Sequence, residues 1–174
     1  MVYAAVHRQT GARVAVKVLR SEYTNSPKLV RRFFREAATV NQLGHPGIVT
    51  MLDTGALADG RPFLVMELFE GVSLLDKLAP HGGLPLHDVI TIVDQIASAL
   101  AVAHEKHLVH RDLKAQNIML LSGDPSRAKL LDFGIAKLIE SEAQTDETTI
   151  GTRVGTLAIM APEQISHAPV SPAT

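Results

Sequence analysis

The chain opens on two short runs of strand-forming residues, Val2–Val6 and Arg13–Leu19, separated by the turn sequence Gln9-Thr10-Gly11. The second run, Val14-Ala15-Val16-Lys17-Val18-Leu19, is apolar on both faces except at Lys17. The period then lengthens. Ser26 is placed to cap a helix and Pro27 suits its first position, after which Leu29/Val30, Phe33/Phe34, Ala37/Ala38 and Val40 recur at helical spacing as far as Gly44-His45-Pro46. Ile48–Thr54 and Pro62–Leu68 predict a second strand pair turning at Asp59-Gly60. Asp88–Glu105 predicts a long amphipathic helix with Val89, Ile92, Val93, Ile96, Leu100 and Ala103 on one face. Two strand-like pieces follow, around Asn117–Leu121 and Ala128–Leu131, and Glu140–Thr156 is polar enough to predict a loop.

A strand-rich first third with one helix, followed by a segment led by a long helix, predicts an α+β architecture. Phe69–Ser73 would be the joint between two lobes, with a cleft there.

Composition narrows the functional classes. With 46% apolar and 20% charged residues the chain is an ordinary globular one, and a net charge of −1 with scattered Lys and Arg gives no reason to expect nucleic acid or an anionic membrane. The absence of cysteine excludes a disulfide scaffold and a thiolate metal site, and suits the cytoplasm. Apolar stretches such as Ile96–Ala103 are too short to span a bilayer, and no signal peptide is visible at Met1-Val2-Tyr3-Ala4.

The chemistry lies in His110-Arg111-Asp112-Leu113-Lys114-Ala115-Gln116-Asn117, which sets an acid and an amide five residues apart between a helix and a short strand. Asp132-Phe133-Gly134 follows 15 residues after Asn117, and Ala161-Pro162-Glu163 begins 29 after Asp132. Singly, Asp112 or Asn117 reads as a turn former, and Lys17 as a lysine on an edge strand. Together and in order, these motifs resemble the catalytic loop, the metal-binding motif and the end of the activation segment of eukaryotic-type (Hanks-type) serine/threonine protein kinases. Val14-Ala15-Val16-Lys17 is similar to that family's third-strand lysine motif, Glu36 sits at its helix glutamate, and the match runs from Val2 to Gln164. The short connections and the Ala-Pro-Glu-Gln ending look bacterial.

The resemblance implies a protein-kinase-like bilobal fold: a small lobe over 1–68, a hinge over 69–73, and the start of a large lobe over 74–174 with an activation segment at 132–163. It implies that ATP and Mg²⁺ are bound and that the γ-phosphoryl group passes to Ser/Thr hydroxyls of a protein substrate. Lys17, paired with Glu36, would hold the α- and β-phosphates. Asp112 would orient the attacking hydroxyl, and Lys114 would reach the transferring phosphate, as in members acting on serine and threonine. Asn117 and Asp132 would supply oxygen ligands, which suit Mg²⁺. Val2, Ala15 and Met119 would sandwich the adenine, Met66 would limit the pocket's depth, and Glu67 and Phe69 would offer backbone groups to the adenine edge. Phe133, His110, Val40 and Met51 match the hydrophobic column that joins the lobes. Arg111 would pair with a phosphate on Thr148, Thr149 or Thr152, against the reading of these as solvated loop threonines.

The chain also departs from the family pattern. Its glycine-rich loop would precede Val2, its last large-lobe helices would follow Glu163, and Leu157 and Ile159 stand where Pro and Tyr are usual. The expectation is a truncated kinase, poorly soluble and impaired in turnover. Two alternatives stay open: a non-catalytic nucleotide-binding or docking module, and a small-molecule phosphotransferase on the same fold. A zinc reading of His104, His107 and His110 is rejected, because three-residue steps drift around a helix and no fourth ligand is near.

Overall fold

The computed structural model describes residues 1–21, 24, 26–80, 82–133, 160–166, 168 and 170–172, apart from the side chain of Glu36. Gly134, Thr148, Thr149, Thr152, Leu157, Ile159 and most of the expected activation segment lie outside the described residues.

Val2–Val6 (β1) and Arg13–Val18 (β2) pair antiparallel through a turn in which Gly11 takes φ 71°, a left-handed conformation that glycine adopts without steric cost. Pro27–Asn41 (α1) starts where expected: the Ser26 hydroxyl accepts from the Leu29 amide at 3.4 Å, and Pro27 occupies the first turn. Met51–Ala56 (β3) and Pro62–Glu67 (β4) complete a four-stranded antiparallel sheet in the order β1-β2-β4-β3. The third strand starts later than the sequence predicts. Ile48 instead forms an isolated parallel bridge with Leu130, and the Val49 amide donates to the Leu130 carbonyl at 3.1 Å.

Gly71–Ser73 (β5), Ile118–Leu121 (β6) and Ala128–Leu130 (β7) form a second antiparallel sheet in that order. Three of the five residues read as a joint are therefore strand. Between β5 and β6 lie Leu74–Leu78 (α2), Leu86–Glu105 (α3) and a 3₁₀ turn at Ala115–Asn117. Pro162–Ile165 forms a short α4.

One buried apolar cluster joins these layers. It runs from Ala15, Leu64 and Met66 of the first sheet through Phe33, Ala37 and Val40 of α1 to Leu120 and Leu130 of the second sheet and Ile96 and Ala99 of α3.

Helix α3 corrects two expectations. Its buried stripe is Ile92, Ile96, Ala99 and Ala103, whereas Val89 and Val93 are exposed. Apolar residues cover most of the circumference of this helix, so periodicity alone does not select the face that packs. The helix is also long and apolar enough to cross a membrane by length and composition, contrary to the estimate from its shorter apolar runs; here that stripe packs into the core.

Candidate active site

Alternation and pairing place Lys17. Ala15 and Lys17 point to one face of β2; Ala15 pairs with Met66 and Lys17 with Leu64 across β4, while Val2 pairs with Lys17 and Met51 with Met66. Ala15, Leu64, Met66 and Met51 are buried, so this is the inner face of the sheet, and Lys17 emerges from it. An ammonium there needs a partner, since desolvating an unpaired charge is costly. It has one: Lys17 Nζ lies 2.7 Å from Asp132 Oδ1, across 115 residues of sequence. Glu36, the partner expected from the family, is on α1, and its side chain lies outside the description.

Asp132 stands just beyond β7 with φ 51°, and Arg111 has φ 64°. Left-handed backbone is uncommon for residues other than glycine and concentrates at functional sites. Of the four such residues described, His107, Arg111, Ser122 and Asp132, two lie in the segments that carry the acids.

Side chains, rather than helix or strand, hold the loop that carries Asp112. The Asp112 amide donates to His110 Nδ1 at 3.2 Å, and His110 Nε2 lies 2.8 Å from the Leu131 carbonyl. Since Nδ1 accepts, the network assigns the ring proton to Nε2, leaving a neutral imidazole. Burial is the main cause that holds the His110 pKa below the usual histidine value; the bond to the Leu131 carbonyl and the charges of Asp112 and Asp132 work the other way, and Lys114 adds to the lowering. The His110 ring packs on Phe133 at 4.8 Å between centroids. Phe133, Val40 and Met51 lie in the same buried cluster.

Around Asp112 the polar groups converge. Asn117 Nδ2 donates to the Asp112 carbonyl at 2.7 Å and to its Oδ2 at 3.0 Å, and Lys114 Nζ lies 2.9 Å from Oδ2. The Asn117 nitrogen is thereby committed, which makes its Oδ1 the atom suited to face a cation. The 3₁₀ turn at Ala115–Asn117 sets this geometry by returning the chain onto Asp112 within five residues.

Asn117 and Asp132 offer one amide oxygen and one carboxylate. That donor set fits Mg²⁺, which binds through one or two carboxylates and keeps water and phosphate in its remaining positions. Among the described residues no cluster of three or more His, Cys, Asp and Glu could hold a metal by itself. His110 spends both ring nitrogens on the backbone, in keeping with the rejected zinc reading.

The residues expected around an adenine fall on both sheets. Met66 and Ala15 form a buried cross-strand pair on the inner face, Val2 lies exposed on the same face, and Met119 stands in β6 opposite Ser73. The Glu67 amide donates to the Thr50 carbonyl at 3.0 Å, so its carbonyl is the backbone group it could offer a ligand.

The side chain of Glu67 has a role that sequence reasoning missed. Its carboxylate accepts from the Thr50 amide and from Lys129 Nζ, joining β4 to β7, and Lys129 also stands 5.9 Å from the Phe69 ring centroid. Burial alone would raise the Glu67 pKa, but the bonds from Lys129 and Thr50 outweigh it and hold the carboxyl below its ordinary range. The signal was available: Lys129 is the one charge in Ala128-Lys129-Leu130-Leu131, as Lys17 is in Val14-Ala15-Val16-Lys17-Val18-Leu19. Gln164, also missed, donates through Nε2 to the Arg111 carbonyl at 2.8 Å.

Comparison with known proteins gives this arrangement its context. The serine/threonine-protein kinase Pkn1 of Myxococcus xanthus is 44% identical over 167 residues, covering 94% of this chain and 23% of the relative. The serine/threonine-protein kinase PknA of Mycobacterium tuberculosis is 40% identical over 177 residues, covering 99% of this chain and 40% of the relative. The chain thus spans well under half the length of these curated relatives. Among solved structures, the Mycobacterium tuberculosis PknI kinase domain superposes with a TM-score of 0.72 at 30% identity, covering 98% of this chain and 61% of that one. The family described as Protein kinase domain matches residues 1–174, and with the paired lysine, the acid-bearing loop and the second aspartate in that family's order, the chain belongs to it.

Proposed function

We propose that this domain serves ATP- and Mg²⁺-dependent transfer of a phosphoryl group to serine or threonine hydroxyls of a protein substrate. The observation that carries the reading is the convergence on Asp112: Asn117 and Lys114 grip one carboxylate oxygen, while Lys17 of the first sheet meets Asp132 beyond the second. Relatives named as serine/threonine-protein kinases support the substrate class.

Phosphoryl transfer needs positioning and charge neutralisation more than covalent help. Asp112 accepts the hydroxyl proton as the substrate oxygen bonds to the γ-phosphorus and the bond to the β-bridging oxygen breaks, releasing ADP. Lys114 stands beside that carboxylate to meet the charge moving onto the transferring oxygens. Lys17 holds the α- and β-phosphates, for which it exchanges part of its bond to Asp132. Asn117 and Asp132 would hold Mg²⁺, which would neutralise phosphate charge. Ala15, Met66, Val2 and Met119 supply the apolar walls for the base.

The test is phosphate transfer from ATP to a generic protein, with aminoglycosides and small alcohols as competing acceptors. Asp112→Ala is expected to lower turnover by at least about 10²-fold. Mg²⁺-ATP is expected to raise the melting temperature by mass action, and Asp132→Asn to remove most of that rise. Unchanged turnover in Asp112→Ala would end the reading; transfer to small acceptors alone would move it to a small-molecule phosphotransferase.

A further inference from the structure

Arg111 and Asp112 share one rigid peptide plane. Arg111 is left-handed at φ 64°, so neither helix nor strand holds that plane. Two side chains hold it from opposite ends. The Asp112 amide donates to His110 Nδ1 at 3.2 Å, and the Arg111 carbonyl accepts from Gln164 Nε2 at 2.8 Å. One bond would leave the plane free to rock about its own axis; two on opposite atoms fix it. The plane leads directly into the Cα of Asp112, so its tilt sets where that carboxylate points.

His110 grips from within its own loop, whereas Gln164 reaches in from 53 residues away, beside Ala161-Pro162-Glu163. The Gln164 amide is itself oriented: its Oε1 accepts from the Ala161 amide at 3.2 Å, which turns Nε2 toward Arg111. We propose that Gln164 is a positioning residue that aims Asp112 through the Arg111–Asp112 peptide, and so ties the end of the 132–163 segment to the acid. The proposal rests on the kinase reading above.

Two variants separate this role from helix capping. Gln164→Ala removes both bonds. Gln164→Glu keeps the acceptor for the Ala161 amide but puts a carboxylate oxygen, with no proton to donate, against the Arg111 carbonyl. If Gln164 only caps α4, Gln164→Glu behaves as wild type and Gln164→Ala alone is impaired.

The measurements are hydrogen exchange at the Asp112 amide and steady-state phosphorylation of a generic protein. In both variants exchange should quicken by about 5- to 10-fold, the effect of one lost hydrogen bond. The kcat should fall by about 10- to 100-fold, the range a misaimed catalytic group commands, with the KM for ATP within about twofold. Wild-type exchange in Gln164→Glu overturns the proposal, as does faster exchange with unchanged kcat. A wild-type protein that neither transfers phosphate nor gains melting temperature with Mg²⁺-ATP would refute the kinase reading instead. Exchange at Asp112 would still decide whether Gln164 sets the peptide: equal rates in wild type and Gln164→Glu sink that placement, and a rise upholds the placement while its catalytic consequence falls with the kinase reading.

Discussion

Replacing His110 by Phe should make the protein less sensitive to acid. His110 is 2% exposed, its ring nitrogens face the Asp112 amide and the Leu131 carbonyl, and burial lowers its pKa from the ordinary 6.5. The folded protein therefore resists a proton that the unfolded chain accepts. Above the unfolded pKa the imidazole is neutral in both states and the linkage vanishes. As pH falls below 6.5 toward the lower folded pKa, the unfolded state takes up the proton first, and stability is lost. One proton sets the limit. Between pH 7.5 and 5.5 this position can remove at most about 1.4 kcal/mol, since one pKa unit is worth about 1.36 kcal/mol. For a chain of this length that is about 3–6 °C in melting temperature. His110→Phe forfeits two hydrogen bonds, so its stability is lower throughout, but it has no proton to gain. Urea unfolding of both proteins at several pH values measures the difference between two slopes, in which the other histidines cancel. Stability–pH curves that run parallel within about 0.3 kcal/mol would refute the account of a buried neutral imidazole.

Two further outcomes follow from the packing. Lys129→Met strands the partly buried Glu67 carboxylate and should cost about 1–3 kcal/mol in urea unfolding, a loss that Glu67→Leu in the same chain should largely restore; additive effects of the two changes would deny the coupling. At Gly71 an added Cβ would sit 2.5 Å from the Leu120 carbonyl oxygen, so Gly71→Ala should push β5 off β6 and lower stability by about 1–3 kcal/mol, whereas a neutral result would show that the strand pair yields freely.

Much of this site is legible in the sequence because its parts are local. His110 through Asn117 is one continuous run, and the hydrogen bonds from Asn117 to Asp112 span only the turn between them. The same holds for α1, whose cap and apolar period lie within 16 residues from Ser26 to Asn41. What spacing does not encode is which distant groups meet. Nothing in the order of residues says that Lys17 pairs with Asp132, or that the chain after β7 brings Gln164 back to Arg111. The face of α3 was misjudged for a related reason: with apolar residues nearly all round, only the second sheet decides which stripe is buried. Lys129 was legible in principle, by the cost of a lone charge in an apolar strand.

The separation of Lys17 from Asp132 also bears on how the protein folds. Closing a loop of n residues costs about (3/2)RT ln n, which is about 4 kcal/mol for the 115 residues between them and about 1.4 kcal/mol for the five from Asp112 to Asn117. No single ion pair on a partly exposed surface repays the larger sum. The pair must therefore form after nearer contacts have shortened the path: first the β1–β2 and β3–β4 hairpins, then the bridge from Ile48 to Leu130. Contacts of such long range slow folding, so the meeting of Lys17 and Asp132 is expected as a late step on the route to the native state.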